Sequence, residues 1–383
     1  MSGWRVALTA VLCALGLSAC VTLPRTHFSA QDQALAVVPG FDHIRYAQDD
    51  PALATMLTSK VTPDAHGEID VLALSGGGAN GAYGAGLLYG WTKAGGRPQF
   101  QIVTGVSTGA LMAPFAFLGS TTDPDLREAY TGLDAQNVLK VRGAYGLFTP
   151  GLYSKEPLEQ LVRRFVTDDV VRAVAVEHAK GRRLVVATTD LDTEQLVVWD
   201  MGAIAARGGP AARELFVKVL VASASIPGVY APTMIDVRGG GRKFEEMHID
   251  GQTEGAFFAV PGDLLLMKRL PSEPFKVRLF VVVNGQLDDV FTETPRATVP
   301  ILARAIEAAN KASIRSVVTT TFEFCLRRGC SVKLAALPPT AVDNPLDFSA
   351  AHLNALFNAG AAAAQAGTAW RDSPAEPPPP VKP

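Results

Sequence analysis

The sequence has almost no excess of charge of either sign and few cysteines, and each of these facts excludes a class of site. The 383 residues carry 35 lysines and arginines against 37 aspartates and glutamates, a formal net charge of −2. Near-neutral charge without a clustered basic stretch leaves no electrostatic footprint for nucleic acid, so no nucleic-acid partner is expected. Of the four cysteines, Cys13 and Cys20 lie in the first twenty residues, which leaves Cys325 and Cys330 in the rest of the chain. Because two cysteines alone do not make a ligand set, no metal site is expected.

The apolar run at the amino terminus is too short to cross a bilayer. Val6 to Leu17 is apolar except for one threonine, whereas a membrane span needs about 20 apolar residues. The run predicts a secretory signal peptide over residues 1–19. It ends in Leu17-Ser18-Ala19-Cys20, which resembles the lipobox of bacterial lipoproteins. That resemblance implies that Cys20 is lipidated and becomes the first residue after cleavage; an ordinary signal peptide with a chance cysteine, or a short anchor helix, is the alternative.

The residues around the remaining cysteines agree with an exported protein. Val21 rather than Asp follows Cys20, and by analogy with lipoprotein sorting in two-membrane bacteria this favours the outer membrane. We therefore expect a lipid-anchored protein of the bacterial cell envelope that faces the periplasm. Cys325 and Cys330 flank a short glycine-containing turn and are candidates for a disulfide in an oxidising compartment, with a pair of free thiols as the alternative.

The domain organisation follows from changes in composition. Residues 20–67 are mixed and turn-rich and are interpreted as a lipidated tether, and residues 371–383 are proline-rich and are expected to be disordered. In residues 68–370, apolar strand-like runs alternate with helical patterns, which predicts an α/β fold: three layers, α/β/α, with a mostly parallel central sheet. The predicted strands are 69–74, 100–106, 183–188, 195–199, 243–249 and 277–283. The predicted helices are 79–93, 108–118, 155–166, 211–222, 296–320 and 350–365.

The first motif with chemical content is Gly105-Val106-Ser107-Thr108-Gly109, which matches the G-x-S-x-G nucleophile elbow. A serine at a sharp strand-to-helix turn needs neighbours without bulky side chains, and Gly105 and Gly109 meet that need. The start of a helix also presents backbone N–H dipoles to developing negative charge. Ser107 is therefore the candidate nucleophile; a plain turn is the alternative for the five residues alone.

The second motif is a glycine-rich turn, Ser75-Gly76-Gly77-Gly78-Ala79-Asn80-Gly81, directly after the first predicted strand. Consecutive glycines let backbone N–H groups turn inward and hold an oxyanion. Gly76, Gly78 and Gly81 also satisfy the dinucleotide fingerprint G-x-G-x-x-G. That alternative needs an acidic residue at the end of the second strand, and this strand ends in Gly105-Val106-Ser107. No Gly-Lys-Ser/Thr follows the turn, which excludes a P-loop.

The third motif is Asp250-Gly251, at the end of an apolar-leaning predicted strand. A buried aspartate beside the serine would accept its proton directly, provided that desolvation raises the pKa of the carboxyl group. An Asp-Gly turn is the alternative for such a pair in isolation.

Together these motifs resemble the patatin-like phospholipase family: a glycine-rich oxyanion loop, a G-x-S-x-G serine about thirty residues later, and an Asp-Gly that completes a Ser–Asp dyad. The segments 188–193 and 221–228 are similar to further recurrent stretches of that family, and the resemblance covers residues 70–260. It implies a patatin-like fold and a serine lipid acyl hydrolase of phospholipase A, lysophospholipase or esterase type. Ser107 would be the nucleophile, Asp250 the general base and Gly76–Gly78 the oxyanion loop. No cofactor would be needed, and a membrane lipid or lipid ester would be the substrate.

The sequence departs from the family at Asn80, where the family usually has Arg or Lys. An amide can donate hydrogen bonds to the oxyanion, so Asn80 is kept with the loop, but it cannot attract phosphate by charge. Two other readings stay open. His248, or His352 downstream of Asp250, would serve as base in a triad. Alternatively, the protein is a non-catalytic lipid-binding or structural envelope lipoprotein with a vestigial site. The sequence does not fix the oligomeric state.

Overall fold

The computed structural model describes residues 25–143, 149–255, 257, 276–291 and 293–374. The expected signal peptide, Cys20 and residues 375–383 of the expected tail lie outside the described residues.

The described strands and helices alternate along most of the chain. The strands are β1 (Arg45–Ala47), β2 (Glu68–Leu74), β3 (Ile102–Val106), β4 (Lys140–Val141), β5 (Tyr153–Ser154), β6 (Arg183–Asp190), β7 (Gln195–Asp200), β8 (Thr233–Gly239), β9 (Arg242–Asp250), β10 (Lys276–Val283) and β11 (Ser331–Ala336). The α-helices are α1 (Ala30–Ala34), α2 (Pro51–Thr58), α3 (Gly81–Lys93), α4 (Thr108–Leu118), α5 (Asp123–Thr131), α6 (Leu133–Gln136), α7 (Glu156–Phe165), α8 (Asp168–Ala179), α9 (Met201–Arg207), α10 (Gly209–Ser223), α11 (Thr298–Arg328) and α12 (Ala350–Gln365). Short 3₁₀ turns cover Gly78–Asn80, Ser120–Thr122 and Gly251–Thr253.

Nine of the described strands form one sheet, in the order β1-β7-β6-β3-β2-β10-β11. The five strands β6, β3, β2, β10 and β11 are parallel to one another, whereas β1, β7 and β9 pair antiparallel. Strand β9 pairs with the end of β6 and carries β8 as its hairpin partner. This mixed, mostly parallel sheet confirms the predicted fold class.

Helices cover both faces of the sheet, which makes the three layers. Alternate residues of β2 belong to two separate apolar clusters, Leu72 and Leu74 to one and Val71 and Ala73 to the other. Helices α3, α4, α10 and α12 supply side chains to the first cluster, and α2 and α11 supply them to the second. A strand buried on both faces is apolar at consecutive positions, as β2 is from Val71 to Leu74.

The segment interpreted as a tether is structured where it is described. Strand β1 pairs with β7 at the edge of the sheet, and Leu53 and Leu57 of α2 are buried in the second apolar cluster. The tether interpretation therefore needs correction for residues 45–58, because these few apolar residues among polar ones are enough to dock the segment. At the other end, the backbone of Arg371 pairs with that of Leu334 in β11, so the start of the expected tail is held.

Several elements differ from the sequence prediction, among them α11, β8 and β11. Helix α11 continues to Arg328, beyond the predicted end at residue 320, and stops at Gly329, whose φ is 74°. Strands β8 and β11 were not predicted; β8 shows the alternating burial of a half-covered hairpin strand. No helix among the residues that the structure describes is long and apolar enough to cross a membrane.

Candidate active site

Ser107 is the single residue that links β3 to α4, and its backbone conformation is strained. Its φ of 55° and ψ of −126° lie in a region that non-glycine residues rarely adopt. The turn is tight on both sides. A Cβ on Gly105 would lie 2.5 Å from the carbonyl oxygen of Gly109, and a Cβ on Gly109 would lie 2.4 Å from the carbonyl oxygen of Leu74. The glycines flanking Ser107 are therefore required by close backbone contacts, and strain of this kind is common at functional sites.

Ser107 and Asp250 are in direct contact, although 143 positions separate them in the sequence. The Ser107 hydroxyl donates a hydrogen bond of 2.5 Å to Oδ2 of Asp250. Asp250 ends β9, and the antiparallel pairing of β9 with β6 sets Asp250 opposite Thr188. Because β6 is also the parallel neighbour of β3, this pairing brings the end of β9 next to the elbow. Both residues are buried, with exposed fractions of 2% and 3%.

Burial raises the pKa of the Asp250 carboxyl group from 3.8 to about 7, because the charged form is desolvated. Hydrogen bonds from the Ser107 hydroxyl and from the backbone N–H of Gln252 act in the opposite direction. A carboxylate with a pKa near neutrality can both accept and return a proton at physiological pH.

The small-residue segment 221–228 holds both members of this pair. The backbone N–H of Ser107 donates to Oγ of Ser223 at 3.0 Å, and that hydroxyl donates to the carbonyl oxygen of Ala187 at 2.7 Å. The backbone N–H of Asp250 donates to the carbonyl oxygen of Ser225 at 3.0 Å. The Thr189 hydroxyl donates to the Asp250 carbonyl at 3.0 Å. Sequence reasoning marked the segment only by resemblance and assigned none of these contacts.

The glycine loop passes directly beside the serine. A Cβ on Gly76 would lie 2.9 Å from Cβ of Ser107 and 2.0 Å from Oε1 of Gln252. Gly78, with a φ of 55°, packs against the carbonyl oxygen of Pro345, 2.2 Å from where its Cβ would lie. Among the described residues, the backbone N–H groups of Gly76, Gly77 and Gly78 have no hydrogen-bond acceptor. Backbone N–H groups without an acceptor among the described residues, beside a serine hydroxyl, fit the geometry of an oxyanion site.

Asn80 is engaged within the protein. Its amide nitrogen donates to Oδ1 of Asp343 at 2.5 Å, and its amide oxygen lies 3.4 Å from Nε2 of His352. Its backbone N–H donates to the carbonyl oxygen of Gly77. The buried Asn80 side chain therefore braces the loop against the C-terminal part of the chain. No motif marked Asp343, and only the fold brings it here.

The two candidate histidine bases, His248 and His352, form hydrogen bonds with other residues. His248 shares hydrogen bonds with the Thr188 hydroxyl at 2.9 Å and with Glu246 at 3.2 Å, and His352 contacts Asn80. Within the described part of the chain, which includes all six histidines, no histidine is hydrogen-bonded to Ser107 or Asp250. Among the described residues, the Ser107 hydroxyl therefore contacts a carboxylate and no imidazole.

An apolar cavity opens beside Ser107. Its lining includes Leu111 and Phe115 of α4, Leu161 and Phe165 of α7, Leu220 of α10 and Tyr130 of α5. Among the described residues, no charged side chain lines it. Ser107 thus borders a space suited to a hydrocarbon group.

Two further findings bear on the other sequence predictions. Cys325, in the last turn of α11, and Cys330, just before β11, are joined by a disulfide. The part of the chain that the structure describes contains no group of three or more histidine, cysteine, aspartate or glutamate side chains placed to hold a metal ion.

The fold and the serine–carboxylate site agree with the family comparison. Residues 72–256 match the model of the family described as patatin-like phospholipase, and the chain therefore carries a patatin-like phospholipase domain. The matched residues include the glycine loop, Ser107 and Asp250.

The other comparisons add little. VipD from Legionella pneumophila is a similar solved structure, with a TM-score of 0.40 and 14% sequence identity, covering 79% of this chain and 67% of that chain. A likeness at this level supports no conclusion about activity. No curated protein sequence matches the chain.

Proposed function

We propose that this protein is a lipid acyl hydrolase that uses Ser107 as nucleophile and Asp250 as general base. The observation that carries the proposal is the 2.5 Å hydrogen bond from the Ser107 hydroxyl to Asp250. It lies beside a glycine loop with unpaired N–H groups and borders an apolar cavity. The patatin-like domain supports a lipid substrate.

The reaction follows from these positions. Asp250 takes the proton of the Ser107 hydroxyl as Oγ bonds to the ester carbonyl carbon, and the carbonyl oxygen becomes an oxyanion. Backbone N–H groups of Gly76–Gly78 donate hydrogen bonds to it. The carbon–oxygen bond to the alcohol then breaks, and the alcohol leaves with the proton from Asp250. Water attacks the acyl-enzyme with Asp250 again as base, which releases the fatty acid and restores Ser107.

The surroundings of the loop bear on the substrate's head group. Asn80 stands where the family usually has a cation, and the carboxylate of Asp343 is its hydrogen-bond acceptor. A loop that has no lysine or arginine and is braced by a carboxylate offers a phosphate no positively charged side chain of its own. The proposal therefore covers esters of fatty acids in general: phospholipids, lysophospholipids and neutral esters.

Location belongs to the same proposal. Cleavage before Cys20 and acylation of that cysteine would tether the domain to the envelope. The expected site is the outer membrane, with the protein facing the periplasm. Several acyl chains hold a protein far more firmly than one, because each buried methylene adds about 0.8 kcal/mol. The anchor would keep the hydrolase beside its lipid substrate.

The test combines active-site labelling with product release. A fluorophosphonate probe should label the wild-type chain, and the purified protein should release fatty acid from a panel of phospholipids, lysophospholipids and neutral esters. Ser107→Ala should abolish both, and Asp250→Asn should reduce both by at least a hundredfold, about the effect of losing a general base. Ser120→Ala, an exposed serine just after α4, is the matched control.

Two outcomes would overturn the proposal. One is a folded wild-type protein that neither reacts with the probe nor hydrolyses any ester, which would favour a lipid-binding or structural lipoprotein. The other is labelling that persists unchanged in Ser107→Ala.

A further inference from the structure

We infer that the cavity beside Ser107 is an acyl-chain site closed at its far end by Phe115 and Phe165, so that the enzyme prefers medium-length acyl chains to long ones. The inference rests on the proposed function and deepens it by naming the acyl group that the site accepts.

One face of α4 forms a wall of known length. Thr108, Leu111 and Phe115 all line the cavity, and this spacing sets them on one side of the helix. Ser107 caps the start of α4. Phe115 lies eight positions further on, which is about 12 Å along a helix axis. The cavity therefore runs along α4 from the nucleophile for about two helical turns.

Two aromatic rings end this path. Phe115 and Phe165 meet edge to face, with ring centroids 6.2 Å apart. The guanidinium of Arg164 lies over the Phe165 ring at 5.2 Å from its centroid, and the Arg164 side chain is 52% exposed. Beyond Phe165 the path therefore meets a solvated cation rather than more apolar space, and hydrocarbon cannot continue there without contact with water.

The remaining walls are apolar or have their polar groups turned away. Tyr130 lines the cavity, but its hydroxyl donates to the Thr108 carbonyl at 2.5 Å. Leu161 and Leu220 are among the apolar side chains that form the other sides. Such a wall favours hydrocarbon over any polar extension of the substrate.

The length of the α4 face from Ser107 to Phe115 limits the length of the acyl chain that the cavity can hold. An extended chain of single bonds advances about 1.2 Å per bond, taking the reach of an extended polypeptide as a guide. The roughly 12 Å from Ser107 to Phe115 then holds an acyl group of about ten carbons. A palmitoyl chain would have to displace the aromatic pair or bend out of the cavity.

The experiment measures kcat/KM of the full chain for p-nitrophenyl butyrate, octanoate, decanoate and palmitate. The wild type should prefer octanoate or decanoate and discriminate against palmitate by at least tenfold, as expected for a hydrocarbon pocket of limited size. Phe165→Ala removes a half-buried ring and should raise the palmitate-to-octanoate ratio about tenfold. Leu111→Phe adds bulk one turn from Ser107 and should shift the preference to butyrate.

Phe117→Ala is the control, since Phe117 is a fully buried phenylalanine of the same helix that packs against Arg182 and does not line the cavity. Its palmitate-to-octanoate ratio should equal that of the wild type. Equal wild-type rates on octanoate and palmitate would overturn the inference, as would a ratio unchanged in both Phe165→Ala and Leu111→Phe. If the fluorophosphonate probe still labels Ser107, only the inference fails; if it does not, the hydrolase proposal fails with it.

Discussion

At the scale of single residues, the burial of Asp250 has two opposing consequences. Desolvation raises the pKa of its carboxyl group to about 7, which suits a base that must also return its proton. The same desolvation makes the ionised carboxylate costly to keep in the folded protein. Both consequences lead to measurable pH dependence.

The first prediction concerns activity. Only ionised Asp250 can accept the Ser107 proton, so kcat/KM should rise with pH up to about 7 and level off above it. Below the midpoint the rate should fall about tenfold per pH unit. The measurement is a kcat/KM profile on a soluble ester whose hydrolysis does not itself depend on pH in this range. A profile that is flat from about pH 5 to about pH 8 would show that Asp250 is not the base.

The second prediction concerns stability. Between pH 3.8 and about 7 the unfolded chain has lost the Asp250 proton while the folded protein still holds it. The folded state therefore binds more protons, and the free energy of unfolding falls as pH rises through this window. Asp250→Asn removes the titrating group and keeps an acceptor for Ser107. Its gain in stability should grow across the window and reach at most about 4 kcal/mol above pH 7.

Urea unfolding of wild type and variant at several pH values would measure this gain. Asp125→Asn, an exposed aspartate on α5, should show no comparable growth. A gain for Asp250→Asn that shrinks as pH rises would contradict the raised pKa.

At the scale of elements, the end of α10 and the two residues after it unite the site. The Ser223 hydroxyl accepts from the strained elbow and donates to β6, and the Ser225 carbonyl holds the backbone of Asp250. Ser107 and Asp250 are thus both fixed to one short stretch of chain. Any shift of this stretch would move them relative to each other.

The third prediction tests that stretch. Ser223→Ala leaves the buried Ser107 N–H and Ala187 carbonyl without their partner, which costs about 1–3 kcal/mol. We expect kcat to fall about tenfold or more with little change in KM, because Ser223 positions the serine and does not touch substrate.

Ser225→Ala is the matched control: it is equally buried, its hydroxyl bonds to the Val221 carbonyl, and its own carbonyl, which holds Asp250, is kept. Equal losses of kcat in the two variants would show a general packing effect instead. Ser223→Thr, which keeps the hydroxyl, should recover part of the lost rate.

Elements also show how far the sequence could be read. The strands that are apolar at consecutive positions, such as β2, and the helices with clear periodicity, such as α12, lie close to their predicted bounds. β11 was not predicted because it is only six residues long and contains a lysine and small residues among its apolar ones. α11 ran past its predicted end because no glycine stops it before Gly329.

At the scale of the whole molecule, the C-terminal third completes a site whose motifs lie before it. Strand β10 pairs with β2, and from its end Asn284 hydrogen-bonds to Ser75 at the base of the glycine loop. Asp343 and Pro345 then brace the far side of that loop. The residues that match the family model end at 256, so this part of the active-site scaffold comes from outside the match.

The fourth prediction concerns where the molecule resides. If Cys20 carries the lipid anchor, Cys20→Ser should move the protein from the membrane fraction to the soluble periplasmic fraction and abolish incorporation of labelled fatty acid. Cys13→Ser, within the expected signal peptide, is the control and should change neither. Membrane retention of Cys20→Ser together with unchanged labelling would refute the lipid anchor.

The sequence by itself determined the class of fold and the identity of the central residues. Apolar runs alternating with helical patterns require a buried, mostly parallel sheet, and the glycine spacing around Ser107 and in residues 76–78 reflects backbone contacts that no side chain could tolerate. The family resemblance implied the pair Ser107 and Asp250, but only the tertiary structure brings the partners into contact. Asp250 meets Ser107, and Asp343 meets Asn80, across long separations that no local pattern encodes. The raised pKa of Asp250 likewise arises only when the fold removes water from its carboxyl group.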